Sequence, residues 1–409
     1  MQSAERELDV VVWGATGFTG RLVAEHLAER YGARGGLAWA LGGRSEARLQ
    51  GLRAELGCPD LPIVLGDSDD PASLAALAGR TRVVCTTVGP YARHGSGLVA
   101  VCAARGTHYC DLSGELPWIR RMIDAHEGAA RASGARIVHC CGFDSIPSDL
   151  GVFFLQREMQ ARNGAACSRI KCRVKGLRGG LSGGTAASLL GVLAEAQADP
   201  AVRRLLADPY ALNPEGRRGP DGPDRLAPAR DADFDAWTAP FVMGALNTRV
   251  VRRTNALLGD AYGAGFRYDE AILTGPGPVG AARAAALTAA LAAAMGAGAV
   301  APLRDLLARL LPAPGEGPSR RKREAGYFDL RFFGENPADR GKGLRARVTG
   351  DRDPGYGSTA RMLGESAACL ARDELAVGGG FWTPASAMGL PLLTRLQANA
   401  GLDFAILAE

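Results

Sequence analysis

The sequence predicts an α/β protein: an N-terminal Rossmann-type doubly wound parallel sheet, followed by a second α+β domain with a mixed or antiparallel sheet. Three observations predict it. Val10-Val11-Val12-Trp13 is a short apolar run of β-formers, the pattern of a buried parallel strand, and it passes through Gly14, Gly17 and Gly20 into a helical pattern. Further β-forming runs alternate with helical stretches as far as Cys141, the rhythm of a parallel sheet with crossover helices. Beyond residue 320 the pattern changes, and Tyr327–Gly334 and Gly343–Thr349 alternate like paired antiparallel strands. The expected division is residues 1–150, a nucleotide-binding domain; 151–355, a second α+β domain; and 356–409, C-terminal helices.

The glycine turn carries the first chemical signal. In the run Gly14-Ala15-Thr16-Gly17-Phe18-Thr19-Gly20, glycines let backbone approach a pyrophosphate, and the following helix offers free N–H groups and the positive end of its dipole. Thr16 and Thr19 add hydroxyls. Strand, glycine turn and helix in succession make the motif specific for dinucleotide binding, although the spacing is GxxGxxG and not GxGxxG.

The second strand, Leu37–Leu41, ends in Gly42-Gly43-Arg44-Ser45. A fold selective for NAD places an acid at this tip, on the ribose 2′-hydroxyl. Here Arg44 can pair bidentately with a 2′-phosphate and Ser45 can hydrogen-bond it, so NADP(H) is expected. Ser45 also reads as the N-cap of a helix over Glu46–Leu56. The third strand, Leu61–Leu65, ends at Asp67, which either meets the adenine side of the nucleotide or only starts a turn with Ser68. Asp70-Pro71 begins the next helix. The fourth strand, Arg82–Val88, ends in Gly89-Pro90-Tyr91, so backbone of Thr87, Val88 and Gly89 is expected beside the nicotinamide. Tyr91 and His94 are the nearest groups able to supply a proton there. The strands ending near Asp111 and Cys141 lead to Asp144 and Ser145, which read either as substrate-binding groups or as caps of the helix beginning near Ser148.

Composition bounds the rest. The net charge of +5 in 409 residues, without a zinc-finger or basic-helix motif, is too mild to point to nucleic acid. Nine cysteines without a CxxC pair read as reduced thiols in a cytoplasmic setting. Five histidines without HxxH or HExxH spacing point to no metal site. The N-terminus has acids and no apolar h-region, so a secretory signal is not expected. Ala284 to Leu303 carries no charge; its alanine and glycine content favours a helix buried between domains, or a small-residue wall of an apolar pocket, with peripheral membrane association as the lesser alternative. Asn213–Asp235, rich in Pro, Gly, Asp and Arg, reads as an exposed, disordered excursion. Gly179–Gly184 is a connecting loop or a cradle for a phosphopantetheine arm. Leu306–Leu311 reads as a helix, and the basic run Arg320–Arg323 as solvated or as a dock for an acidic carrier protein.

The glycine turn, the Gly42–Ser45 tip, Thr87–Tyr91, Tyr109–Glu115 and Cys141–Asp149 together resemble the saccharopine dehydrogenase-like oxidoreductases, in particular the trans-acting enoyl reductase branch. Gly180–Thr185, Asp353–Gly357 and Gly379–Gly389 extend the resemblance nearly end to end. It implies an NADPH-dependent enzyme that reduces a carbon–carbon double bond in an acyl or polyketide intermediate of lipid biosynthesis, with a carrier-bound substrate and a homodimer as further expectations. For an enoyl thioester, hydride goes to the β-carbon, and the enolate needs a donor for its oxygen and a proton for its α-carbon. Tyr91 is the first candidate acid, with Asp144 and Ser145 as orienting groups. Two alternatives stay open. One is carbon–nitrogen oxidoreduction of an amino acid, with Arg93 and Arg178 pairing carboxylates. The other is a non-catalytic lipid or carrier-protein adaptor that retains the cofactor fold.

Overall fold

The structure, a computed structural model, describes residues 6–408 apart from 34, 180–182, 301, 304–316 and 340–341. The first sheet is built from β1 (Leu8–Trp13), β2 (Trp39–Gly43), β3 (Ile63–Leu65), β4 (Thr81–Thr86), β5 (His108–Cys110), β6 (Arg136–Val138) and, from near the end of the chain, β13 (Gly380–Trp382). Their order is β13-β6-β5-β4-β1-β2-β3, with every neighbouring pair parallel. Side chains alternate across a strand. Val10 and Val12 therefore face α1 (Phe18–Tyr31), α2 (Glu46–Glu55) and α13 (Thr359–Arg372). Val11 and Trp13 face α3 (Pro71–Arg80), α5 (Ser96–Arg105) and α6 (Leu116–Ser133). Helices on both faces explain why β1 reads as an unbroken apolar run.

The second sheet contains β7 (Arg169–Arg178), β8 (Ala229–Asp231), β9 (Ala236–Pro240), β10 (Arg267–Gly275), β11 (Tyr327–Glu335), β12 (Leu344–Gly350) and β14 (Leu402–Ile406). Its order is β14-β12-β11-β7-β10-β9-β8; only β7 and β10 are parallel, so the sheet is mixed. The core of the first sheet continues without a break through α7 (Ile146–Asn163), α13 and α14 (Pro384–Asn399) to Ile170, Phe328 and Phe404 of the second.

Two expectations are corrected. Asn213–Asp235 is not a disordered excursion. Arg252 on α10 (Gly244–Leu257) reaches back to Asp221 at 2.7 Å, Arg249 pairs with Asp224, and the stretch ends in β8. A buried guanidinium needs a carboxylate, and these carboxylates come from sequence that looks like loop. The alanine-rich helix, α11 (Gly277–Ala299), is not buried between domains: it packs on β9 and β10 of the second sheet, but most of its side chains, Leu287 and Met295 among them, are exposed. The expected helix at Leu306–Leu311 lies outside the described residues.

The C-terminal helices clasp the first domain through Glu365, which is fully buried on α13. His26 Nε2 lies 2.9 Å from its carboxylate, Tyr31 donates at 2.8 Å and Asn399 at 2.9 Å, while Arg395 stands at 3.5 Å. Burial alone would raise this carboxyl, but the hydrogen bonds from His26, Asn399 and Tyr31 hold it below its ordinary range. Glu365→Ala is expected to destabilise the protein by about 3–5 kcal/mol, since it strands buried partners; a denaturant midpoint indistinguishable from wild type would refute this role.

Candidate functional site

The glycine turn sits where β1 feeds α1, and packing dictates its glycines. Gly14 has φ +83°, and a methyl group on it would meet Val88 Cγ2 at 2.6 Å. A methyl on Gly20 would stand 2.1 Å from Gly14 O. Gly17 is different: at φ −74° its backbone suits any residue, and it is exposed at the N-cap of α1. Its side-chain-free face leaves room for a ligand to approach. No side chain caps α1 and no acid occupies its first turn, so the helix start is a ready anion site. Phe18 turns its ring the other way, edge-on to Tyr356 at 4.5 Å and under Arg323 at 5.4 Å. Only its backbone remains available to a nucleotide.

Neighbouring strand tips close around this turn. Thr87 Oγ1 donates to Trp13 O and Gly14 O, at 3.4 and 3.3 Å. Trp13 fills the space under the next tips, so that a methyl on Gly42 would clash with its ring at 2.8 Å. Arg44 is exposed at the end of β2 with no ion pair among the described residues. Ser45 caps α2, accepting from Arg48 N. Arg48, which the sequence did not single out, donates to Thr16 O at 3.4 Å and adds a second cation beside the turn. Asp67 is engaged locally: its carboxylate accepts from Asp69 N at 3.0 Å, which is the turn alternative. The arrangement fits a phosphorylated dinucleotide, with free amides at a bare helix start and unpaired cations one strand away.

The other side of the carboxyl edge holds the candidate acids. Tyr91 is buried, stacked on Trp118 at 5.5 Å, and its hydroxyl donates to Thr86 O and accepts from Leu112 N. Its proton is committed to the backbone, and burial raises its pKa further. This is a correction to its expected role as acid. Ser145 is also withdrawn: fully buried, it donates to Asn247 Oδ1 at 3.0 Å and ties α7 to α10. Asp144 is half-buried between the tips of β5 and β6. A methyl on Gly142 would stand 3.0 Å from one of its carboxylate oxygens, and one on Gly114 3.7 Å from the other. Burial pushes Asp144 up to about 7; its own backbone N–H pulls the other way and the nearby Asp111 carboxylate raises it further. Arg93 and Arg178 are both exposed, one on α4 (Tyr91–His94) and one at the end of β7.

Asp111 is the residue the sequence did not reveal. Fully buried, it accepts from Tyr109 OH at 2.9 Å, Ser113 N at 3.0 Å and Cys140 N at 3.2 Å, and His139 Nδ1 lies 2.7 Å away. It holds Cys140 at φ +62°, an uncommon conformation for a non-glycine residue, and so fixes the turn that presents Asp144. Glu115 plays a similar part, accepting from Tyr91 N at 2.9 Å, Ala92 N at 2.8 Å and Ser188 Oγ at 2.8 Å. A cavity of about 180 Å³ lined by Tyr210, Arg217, Arg252 and Phe266 shares no residue with these strand tips.

Residues 10–138 match the saccharopine dehydrogenase NADP binding domain. The chain is 43% identical over 414 residues to trans-acting enoyl reductases of Mycobacterium tuberculosis and Mycobacterium bovis, and 40% identical to that of Mycobacterium leprae, in each case covering 97% of both chains. Among solved structures, apo saccharopine dehydrogenase (L-Glu forming) from Saccharomyces cerevisiae is similar with a TM-score of 0.51 and 15% identity, over 98% of this chain and 100% of that one, which speaks for the fold alone. Fold, site and relatives thus define an NADP-dependent oxidoreductase that carries a saccharopine dehydrogenase NADP binding domain. Within that class, the chain belongs to the trans-acting enoyl reductase family.

Proposed function

We propose that the protein uses NADPH to reduce a carbon–carbon double bond of an acyl or polyketide intermediate, in trans to a synthase without its own reductase. The feature that carries this reading is Asp144, a half-buried carboxyl at the tips of β5 and β6, on the same carboxyl edge as the glycine turn with β4 between, where burial pushes it up to about 7. Gly14, Gly17 and Gly20, with the amides of Phe18 and Thr19, receive the pyrophosphate. Arg44 and Ser45 hold the 2′-phosphate, and the backbone of Thr87, Val88 and Gly89 lines the nicotinamide side. Bound NADPH supplies the hydride, so the chain itself must supply a proton. Asp144 holds that proton on its carboxyl oxygen and delivers it to the substrate's α-carbon. Asp111 and His139 position the turn that carries it. Nine buried, unbridged cysteines support a reducing, cytoplasmic setting. The exposed basic helix α12 (Arg320–Glu324) supports docking of an acidic carrier protein.

Carbon–nitrogen chemistry on an amino acid is less well supported, because Arg93 and Arg178 stand exposed on separate elements. NADPH oxidation with an enoyl thioester, compared with an amino-acid adduct, tests the substrate class; turnover of the second alone would overturn the proposal. Turnover of neither, with NADPH bound, would favour the adaptor. Arg44→Ala is expected to weaken NADPH binding by about tenfold to a hundredfold while leaving NADH binding unchanged, the effect of removing a charge-assisted pair. Equal losses for both nucleotides in a fluorescence titration would remove Arg44 from the 2′-phosphate.

A further inference from the structure

Helix α11 is the one helix among the described residues long and apolar enough to cross a membrane, yet only 11% of its most apolar stretch is buried. Leu287 is 47% exposed and Met295 42%. Between Ala284 and Ala299 the only polar side chain is Thr288, and its hydroxyl donates to Ala284 O at 2.8 Å. No face of this helix is left for water. A helix apolar all round is stable inside a protein or in lipid, and its exposure removes the first choice. A second copy of the chain would cover one face and leave the opposite one wet.

Both ends of α11 are tied to the protein. At the start, Thr274 donates to Gly280 O at 2.8 Å. At the far end, α8 (Gly183–Ala198) passes so closely that a methyl on Gly298 would lie 2.7 Å from Leu193. A helix held at both ends lies along an interface and does not span it. Leu189 on α8 is exposed as well. The charges bordering the pair are mostly basic, with Asp199 after α8 as the exposed acid, its carboxylate accepting from Ala201 N at 2.7 Å. Arg283 is exposed on α11, Arg203 closes the end of α8 by donating to Ala196 O at 2.8 Å and Gln197 O at 3.0 Å, and Arg204 beside it is exposed. Glu195 on α8 is paired with Arg121 at 2.5 Å.

We propose that α8 and α11 form a docking surface for the anionic surface of a phospholipid bilayer, with α11 lying in the interface. Alanine contributes little to partitioning, so attachment depends on Leu287 and Met295 together with the arginines, and therefore on anionic lipid. Through Ser188, α8 also touches Glu115, so the lipid-facing pair adjoins the strand tips. The docking proposal does not depend on the reductase reading.

The test is co-sedimentation of the full chain with vesicles of phosphatidylcholine mixed with phosphatidylglycerol, and of phosphatidylcholine alone. Sedimentation with the mixed vesicles is expected, reduced about tenfold or more on phosphatidylcholine alone and in the variant Leu287→Glu with Met295→Glu. NADPH affinity and thermal midpoint should not change in that variant, since both side chains are exposed. A wild-type chain that stays in the supernatant overturns the proposal, as does a variant that still sediments. Analytical ultracentrifugation showing a wild-type dimer that the variant converts to monomer would assign the surface to a second copy instead.

Discussion

Alanine at position 20 is expected to lower NADPH affinity at least about a hundredfold, or roughly 2.7 kcal/mol. Its methyl group would stand 2.1 Å from Gly14 O and 2.8 Å from Thr87 Oγ1. Neither atom can yield cheaply. Gly14 is backbone at φ +83°, and Thr87 Oγ1 is hydrogen-bonded to two carbonyls. The turn must move, and with it the amides that face the pyrophosphate. Overpacking of this kind also costs about 1–3 kcal/mol of stability. Gly17→Ala is the informative companion. Its methyl would face only Gly14 O, at 3.2 Å, so the fold should tolerate it while a nucleotide at the helix start would not. Fluorescence titration with a thermal melt separates the two effects, and wild-type NADPH affinity in Gly20→Ala would show that the turn holds no nucleotide.

The second large effect is expected at Asp144. Asp144→Asn should lower kcat by a factor of about 10²–10⁴, the usual contribution of a general acid, with NADPH affinity intact. The sign of the pH dependence follows from the raised carboxyl: it is neutral below about 7 and ionised above. Wild-type kcat should therefore hold below about pH 7 and fall about tenfold per unit above it, and the asparagine variant should lose that limb. Tyr91→Phe should keep the limb, because its hydroxyl serves backbone and not substrate. Asp149 also titrates at about 7, raised by burial against its hydrogen bonds from Thr254 and Ala385. Its folded value lies above the unfolded one, so the fold loses stability as pH rises from about 4 and the loss is complete once pH passes about 7. A melt at each pH keeps that loss apart from the kinetic one. An alkaline limb that persists in Asp144→Asn would exclude this carboxyl as the proton donor.

What was legible in the sequence was local. The glycine turn, the Arg44 tip and the Ser45 cap depend on residues a few positions apart, so the order of residues along the chain is enough to point to them. What was missed depends on partners brought together by topology. Asp111 meets His139 across two strands, and nothing in their 28-residue separation announces it. Tyr91 looked like an acid because it follows a strand tip, but the ring of Trp118 against it is a tertiary fact. Gly42 reads as part of a strand tip, while it and Gly66 both make way for the indole of Trp13. The apolar run in α11 was visible, but burial was assumed because that is where such residues usually lie.

Residues 380–406 supply an edge strand to each sheet: β13 pairs with β6 in the first, and β14 with β12 in the second. The nucleotide-binding half therefore cannot complete its own sheet until the ribosome has delivered residues beyond 380. Its final closure waits until long after the other six strands have emerged. Damage to the tail, such as proteolytic clipping before β13, should then be felt as weakened nucleotide binding far from the cut, while the order of the two halves along the chain would give no hint of it.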